Sequence, residues 1–239
     1  MNSPRRSTTL IVPALNEEAV IGTMLSRIPA GLFHLVIVAD NGSTDRTADV
    51  ARERGALVVR TSERGYGAAC LRAMEAIPPD CFAVVFMQAD ASEKAEEAAS
   101  LLAPLLDGRA DLVIGSRTMG TAEPGSLLLH QEFGNWLATT LIRWIHGFRY
   151  TDLGPFRAIR ADALRQLGMK DRNYGWTVEM QVRALRQGLR VMEVPVSYGK
   201  RHAGTNKVSG NLKASLAAGW KILYTVAAAS LEKPHRVGE

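Results

Sequence analysis

Three short stretches of this 239-residue sequence carry side chains suited to work on a nucleotide or its phosphates. Asp40 closes an apolar run at residues 35–39 and opens a turn through Gly42. From there its carboxylate can accept bonds from a base N–H or a ribose hydroxyl, or simply cap the helix that follows. Gln88-Ala89-Asp90 sets one amide and one carboxylate at the end of another apolar run. Asp90 can there hold Mg²⁺ or Mn²⁺ shared with a diphosphate, or sit as a solvated loop aspartate. Arg64-Gly65-Tyr66-Gly67 precedes a helical stretch, where backbone amides can approach a phosphate, although Cys70 stands where a dinucleotide fingerprint has its third glycine.

Such residues need a scaffold that gathers the ends of several strands. Five β-branched runs, at residues 8–12, 35–39, 57–60, 82–87 and 112–115, alternate with helical stretches starting near residues 17, 44, 67 and 92. That is the pattern of a mostly parallel sheet covered by helices, in which ligands sit beyond the carboxyl ends of the strands. The run ends are polar: Asn16 and Glu17, then Asp40, then Gln88 and Asp90, then Ser116 and Arg117, so one rim should carry them all. Beyond Arg117 the sequence predicts helices over about residues 131–145 and 177–187, strands at 156–159 and 190–198, a basic loop at 199–210 and a last helix over 212–231. No linker-like stretch divides the chain. The expected organisation is one compact domain, with residues 1–117 as a nucleotide-binding half, 118–211 as the half that completes the site, and 212–239 as a basic amphipathic helix and tail.

Composition excludes several classes. With 46% hydrophobic and 22% charged residues, the chain is globular and neither disordered nor a low-complexity repeat. Cys70 and Cys81 have no metal-type spacing, the five histidines are scattered, and neither a His-Glu-x-x-His nor a Gly-x-Ser-x-Gly motif occurs, which argues against zinc and serine hydrolases. The longest uncharged stretch, residues 28–39, is 12 residues long, short of the roughly 20 a spanning helix needs. With no signal-peptide pattern, the expectation is a cytoplasmic protein. The formal charge of +5 lies wholly after Tyr198, where seven Lys and Arg face only Glu232 and Glu239. That tail suits a phosphorylated substrate or an anionic membrane, or is merely solvated; nucleic acid fits poorly, since no recognition motif accompanies the basic residues.

In order along the chain come PALNEE (13–18), ADNGSTDRT (39–47), GYGAA (65–69), FMQAD (86–90), VIGSR (113–117), DLGPFRAIR (152–160), YGWTVEMQ (174–181), VMEVPVSY (191–198) and GTNKVSG (204–210). In these the chain resembles the family-two inverting glycosyltransferases of GT-A fold, especially the branch of polyprenyl-phosphate mannosyl- and glucosyltransferases. The resemblance implies an α/β fold with a mostly parallel, Rossmann-like sheet. It also implies an enzyme that moves a hexose from GDP-mannose or a UDP-sugar to a polyprenyl phosphate, with Mg²⁺ or Mn²⁺ as cofactor. Pro13, Ala14, Asn16 and Glu17 would cradle the nucleoside and Asp40 would read the base, with Gly65 and Gly67 close by. Gln88, Ala89 and Asp90 would meet ribose, diphosphate and metal. Arg117, Lys200, Arg201 and Lys207 would handle phosphates of donor or acceptor. Gln88 stands where the family has the first aspartate of its metal motif, so Asp90 is the expected metal ligand. Asn41 and Asn206 are two further departures.

Attack at the anomeric carbon from the face opposite the leaving diphosphate would invert configuration, with Arg117 and Lys207 meeting the developing charge. A lipid monophosphate, with a second pKa of about 6, arrives already ionised. A hydroxyl acceptor needs a base, for which Glu179 is the first candidate and Asp152 the second. Glu179 can instead pair with Arg183 at i,i+4, and Asp152 can fix the turn before Gly154-Pro155. Trp136, Trp144 and Trp176 read as core, with Trp176 the one best placed to touch a ligand. The last helix sets Leu212, Leu216, Trp220, Leu223 and Tyr224 beside Lys213 and Lys221, a face that suits the inner surface of a membrane, the domain itself or a second copy of the chain. Two alternatives stay open: a transferase with a soluble hydroxyl acceptor, and a noncatalytic nucleotide-sugar-binding homologue.

Overall fold

A computed structural model describes residues 6–126, 129–200 and 223–231. Its centre is a seven-stranded sheet: β1 (Thr8–Ala14), β2 (Leu35–Asp40), β3 (Leu57–Arg60), β4 (Ala83–Phe86), β5 (Leu112–Ser116), β6 (Arg157–Arg160) and β7 (Val191–Pro195), in the order β3-β2-β1-β4-β6-β5-β7. Only β6 runs antiparallel, to both β4 and β5. The central strands are runs of Val, Ile, Leu and Ala because helices cover both faces and leave no solvated side to alternate with. Leu10, Val12, Val38 and Val85 bury themselves on one side, and Ile11, Ile37, Val84 and Phe86 on the other.

The helices are α1 (Glu18–Ser26), α2 (Thr47–Glu53), α3 (Tyr66–Met74), α4 (Ala98–Leu106), α5 (Leu129–His146), α6 (Ala161–Leu167) and α7 (Trp176–Arg186), followed by α8 at 223–231. The helix expected from residue 92 starts only at Ala98, after a 3-10 turn at Ala95–Glu97. Asp90 Oδ1 takes bonds from the Ser92 N–H and hydroxyl, and Glu93 bridges to Tyr198, so residues 90–94 are held in a turn and a bridge outside the helix. The sequence does not announce α6, a seven-residue helix that follows β6 without a loop. Inside the predicted last helix, the described part, α8, turns Val226 and Ala229 into the core; residues 201–222, including Leu212, Leu216 and Trp220, lie outside the described residues.

The connections place the site. The chain winds from β1 outward through β2 and β3, then returns to β4 on the other side of β1, so the crevice at the carboxyl ends of β1 and β4 is the topological switch point. Because β6 is antiparallel, the segment leading into it, residues 152–156, reaches the same rim as the ends of β4 and β5.

Candidate active site

At the β1–β2 side of the rim, Ala14 pairs with Asp40. Asp40 is buried; its Oδ1 accepts the Ser43 N–H at 3.0 Å and its Oδ2 meets Arg60 Nε at 3.0 Å, while the Arg60 side chain is mostly exposed. Asn16 takes a left-handed φ of 51°, and its Oδ1 accepts the Thr44 N–H at 2.8 Å. The Glu17 N–H donates to Thr47 Oγ1 at 2.8 Å. Pro13, Ala14, Asn16 and Glu17 are therefore gathered against the 40–47 turn, as expected. Asn41 donates from Nδ2 to the Glu63 carbonyl at 2.7 Å and accepts the Gly65 N–H at 2.8 Å. An aspartate there could not donate, so the amide locks the β2 turn to the segment before α3.

Gly65 and Gly67 do not offer their surroundings to a phosphate. A Cβ on Gly65, whose φ is 147°, would stand 2.0 Å from the Arg172 carbonyl oxygen, and one on Gly67 2.0 Å from that of Asp171. The Gly65 N–H is spent on Asn41, and the Ala68 N–H donates to the Arg172 carbonyl at 2.9 Å. The expectation of a phosphate turn is corrected: these glycines let the 171–173 backbone lie against α3.

At the end of β4, Ala89 and Asp90 are buried and Gln88 is half-buried. The structure adds a carboxyl that sequence reasoning passed over. Glu93 is buried beside them, its Oε2 accepting the Gln88 N–H at 2.7 Å while Oε1 has no hydrogen-bond partner among the described residues. Burial, with the Asp90 charge nearby, pushes Glu93 up to about 8, so it carries a proton at neutral pH. No cluster of three or more His, Cys, Asp or Glu occurs among the described residues. The oxygens at this strand end are thus those of the Asp90 carboxyl group, the Gln88 amide and the Glu93 carboxyl, a set that fits a hard cation keeping waters and ligand phosphates, and does not fit zinc.

Arg117, at the end of β5, is the hinge between this end and the rest of the rim. Its Nε and Nη2 each lie 2.7 Å from an oxygen of Asp152, its own N–H donates to Asp152 Oδ2 at 2.9 Å, and its guanidinium sits 5.0 Å from the ring centre of Tyr198. Tyr198 in turn lies beside Ser92 and the charge of Asp90. Asp152 is fixed from behind: its N–H and that of Thr151 donate to Glu193, and Gln181 Nε2 donates to its carbonyl. Beneath them Arg157 is fully buried, donating to the carbonyls of Thr177, Leu153 and Gly154; burial lowers it to about 10, still a cation at neutral pH. Glu193 and Arg157 were not anticipated; the only trace of Arg157 in the sequence is an arginine opening an apolar strand. Lys200 is exposed, with its N–H on Glu123 at 3.1 Å; Arg201 and Lys207 lie outside the described residues.

The sequence profile of glycosyl transferase family 2 matches residues 9–168. This chain belongs to that family. An uncharacterized glycosyltransferase of Mycobacterium tuberculosis is 38% identical over 91% of this chain and 98% of its own length. An undecaprenyl-phosphate mannosyltransferase of Micrococcus luteus is 30% identical over 84% of this chain and 87% of its own. Among solved structures, glucosyl-3-phosphoglycerate synthase of M. tuberculosis, crystallised with Mn²⁺, UDP and glucosyl-3-phosphoglycerate, superposes with a TM-score of 0.75 at 25% identity, covering 95% of this chain and 80% of that one.

Within this glycosyltransferase the two expected bases are corrected. Glu179 is buried, with Oε1 and Oε2 accepting the N–H groups of Lys170 and Asp171 and Oε1 also taking Arg183 Nε at 2.8 Å. The i,i+4 partner foreseen on a solvated face is real but lies inside the molecule. Asp152 has both oxygens engaged by Arg117, which makes it a positioning residue for that guanidinium. Of the tryptophans expected in the core, Trp176 is there, too deep to touch a ligand, and the other two are not. Trp176 is fully buried, edge-on to Phe86 with centroids 6.1 Å apart, whereas Trp136 and Trp144 are 59% and 83% exposed on α5.

Proposed function

We propose that this glycosyltransferase moves a hexose, with inversion, from GDP-mannose or a UDP-sugar to a polyprenyl monophosphate at a membrane surface. The observation that carries the acceptor is the engagement of both candidate bases: Glu179 and Asp152 are each held by an arginine and backbone N–H groups. A hydroxyl acceptor needs a proton taken from it, while a phosphate monoester, with a second pKa of about 6, brings an ionised oxygen. The lipid is supported by α5, which leaves the apolar Phe133 and Ile145 and the amphipathic Trp136 and Trp144 exposed, side chains that favour a membrane interface. Among the described residues no helix is long and apolar enough to cross a membrane, so contact would be peripheral.

On the donor side, Asp40 reads the base once the exposed Arg60 swings off Oδ2, and Asn16 and Glu17 wall the nucleoside. Asp90 would hold Mg²⁺ or Mn²⁺, as the Mn²⁺-bound neighbour suggests, and the cation would supply charge to the leaving diphosphate. Arg117, kept in place by Asp152, faces the same charge from the protein side. A soluble hydroxyl acceptor is the second reading, favoured by the likeness to glucosyl-3-phosphoglycerate synthase.

Incubation with radiolabelled GDP-mannose or UDP-glucose, Mn²⁺, and either a prenyl phosphate or phosphoglyceric acid tests the reading. Label passing into the organic phase with the prenyl phosphate is expected. Label transferred only to the soluble acceptor, or no turnover with either, overturns it.

A further inference from the structure

A cavity of about 520 Å³ opens between α5 and the segment before β6. At its inner end stand Arg117 and Asp152, which neutralise one another; its outer wall carries Arg143 from the last turn of α5 and Arg149 just beyond it, with Trp136 alongside. Neither the Arg143 nor the Arg149 side chain makes a hydrogen bond or ion pair with any described residue, and both are exposed. Besides Asp152, the one acidic side chain among the described wall residues is Glu132. Of the polar groups between, Asn135 holds the Thr151 carbonyl and the Leu153 N–H, and Thr139 donates to its own helix. Three arginines against two carboxylates leave the wall with a net positive charge, and two exposed guanidinium forks facing one pocket call for an oxyanion with several acceptor oxygens.

We infer that this cavity binds the phosphate monoester of the acceptor, with Arg143 and Arg149 as its clamp. The inference rests on the transferase reading above for the word acceptor, and on the cavity alone for the phosphate. Arg117 joins the pocket to Tyr198 and thereby to the Asp90 end of the rim, so an anion held here lies on the acceptor side of the donor site. Trp136 belongs both to this wall and to the exposed aromatic face of α5, with Phe133 5.7 Å from it ring to ring. A prenyl chain leaving the phosphate would pass over them; a small phosphorylated acid would leave them bare.

The test is titration calorimetry of the full chain with inorganic phosphate, a short prenyl phosphate and phosphoglyceric acid, repeated with Arg143→Gln, Arg149→Gln and the double variant. Arg52→Gln, on the far helix α2, serves as control. Both cavity arginines are exposed, so the variants keep the fold, which circular dichroism verifies. Each substitution should weaken the phosphate monoester roughly ten- to hundredfold, the worth of one charge-assisted bond, with nucleotide-sugar affinity unchanged and, in the transfer assay, KM for the acceptor raised and kcat kept. Phosphate binding that survives the double variant overturns the inference. Arginine-dependent binding of phosphoglyceric acid with none of prenyl phosphate upholds the cavity and sinks the lipid acceptor; the reverse preference upholds both.

Discussion

Glu93 is a carboxyl that folding forces to keep its proton, and this makes it the group on which pH acts most directly. Its value is raised from about 4.5 to about 8 by burial. Below the unfolded value the carboxyl is protonated in both states and costs nothing; between the two values the unfolded chain ionises and the folded chain does not, so stability falls as pH rises until the folded value is passed. Glu93→Gln removes that loss. Thermal melts at pH 5, 6.5 and 8 should show the variant gaining on the native protein at each step, and a constant gap would contradict the assignment. Arg117 and Asp152 make a second residue-scale prediction. Arg117→Ala should lower kcat by about 10²–10³, the usual worth of one donor aimed at developing charge. Asp152→Asn, which keeps the side-chain shape but loses the bidentate pair, should fall between the two, with donor KM little changed. Single sites of this kind were only partly legible in the sequence. Asp90, Arg117 and Asn16 stand at strand ends, where position alone marks them. Glu93 lies in an acidic stretch that reads as a helix start, and its burial follows from the bridge to Tyr198, a hundred residues away in the chain.

Among the elements, the loop between α6 and α7 does more than connect them. Glu179 on α7, itself held by Arg183, accepts the N–H groups of Lys170 and Asp171, and the 171–172 backbone lies against Gly65 and Gly67 at the start of α3, so the carboxylate fixes α3 to α7 through a loop. Glu179→Ala removes the carboxylate that pairs with Arg183, which is only 7% exposed, and should cost about 3–5 kcal/mol. Urea unfolding measures that loss. If Glu179 positions and takes no proton, turnover per folded molecule, assayed at low temperature, should remain within a few-fold of native; a selective collapse of kcat at unchanged stability would restore it as a base. The strands were readable because each is an apolar run buried on both faces, and a parallel sheet leaves little choice of edge or face. What the run pattern does not encode is direction: β6 resembles any short strand, and only its place between β4 and β5 makes it antiparallel. The late start of α4 was hidden for a similar reason, since residues 92–97 suit a helix and are held out of one by contacts with Tyr198 and with Ser197, whose N–H donates to Glu97.

For the molecule as a whole, the consequence of this architecture is an uneven surface. The sequence places its whole net positive charge after Tyr198, and the fold exposes Trp136 and Trp144 on α5, while α8 turns Val226 and Ala229 inward. Apolar contact with a bilayer is therefore expected from α5, and electrostatic attraction from the tail. The two contributions separate by experiment. Binding to vesicles containing anionic lipid should weaken as salt rises from 50 to 500 mM, because screening at a Debye length of about 10 Å and below removes the tail's contribution. The tryptophan emission shift on neutral vesicles should be nearly insensitive to salt. Trp144→Ser, at the most exposed aromatic of α5, removes a side chain that buries roughly 150–250 Å² when covered. It should weaken binding to both kinds of vesicle by at least tenfold, without changing the melting temperature. A variant that binds neutral vesicles as tightly as the native chain would move the membrane contact off α5, and would leave the Arg143 and Arg149 cavity opening toward solvent, on the side from which a soluble phosphate monoester enters.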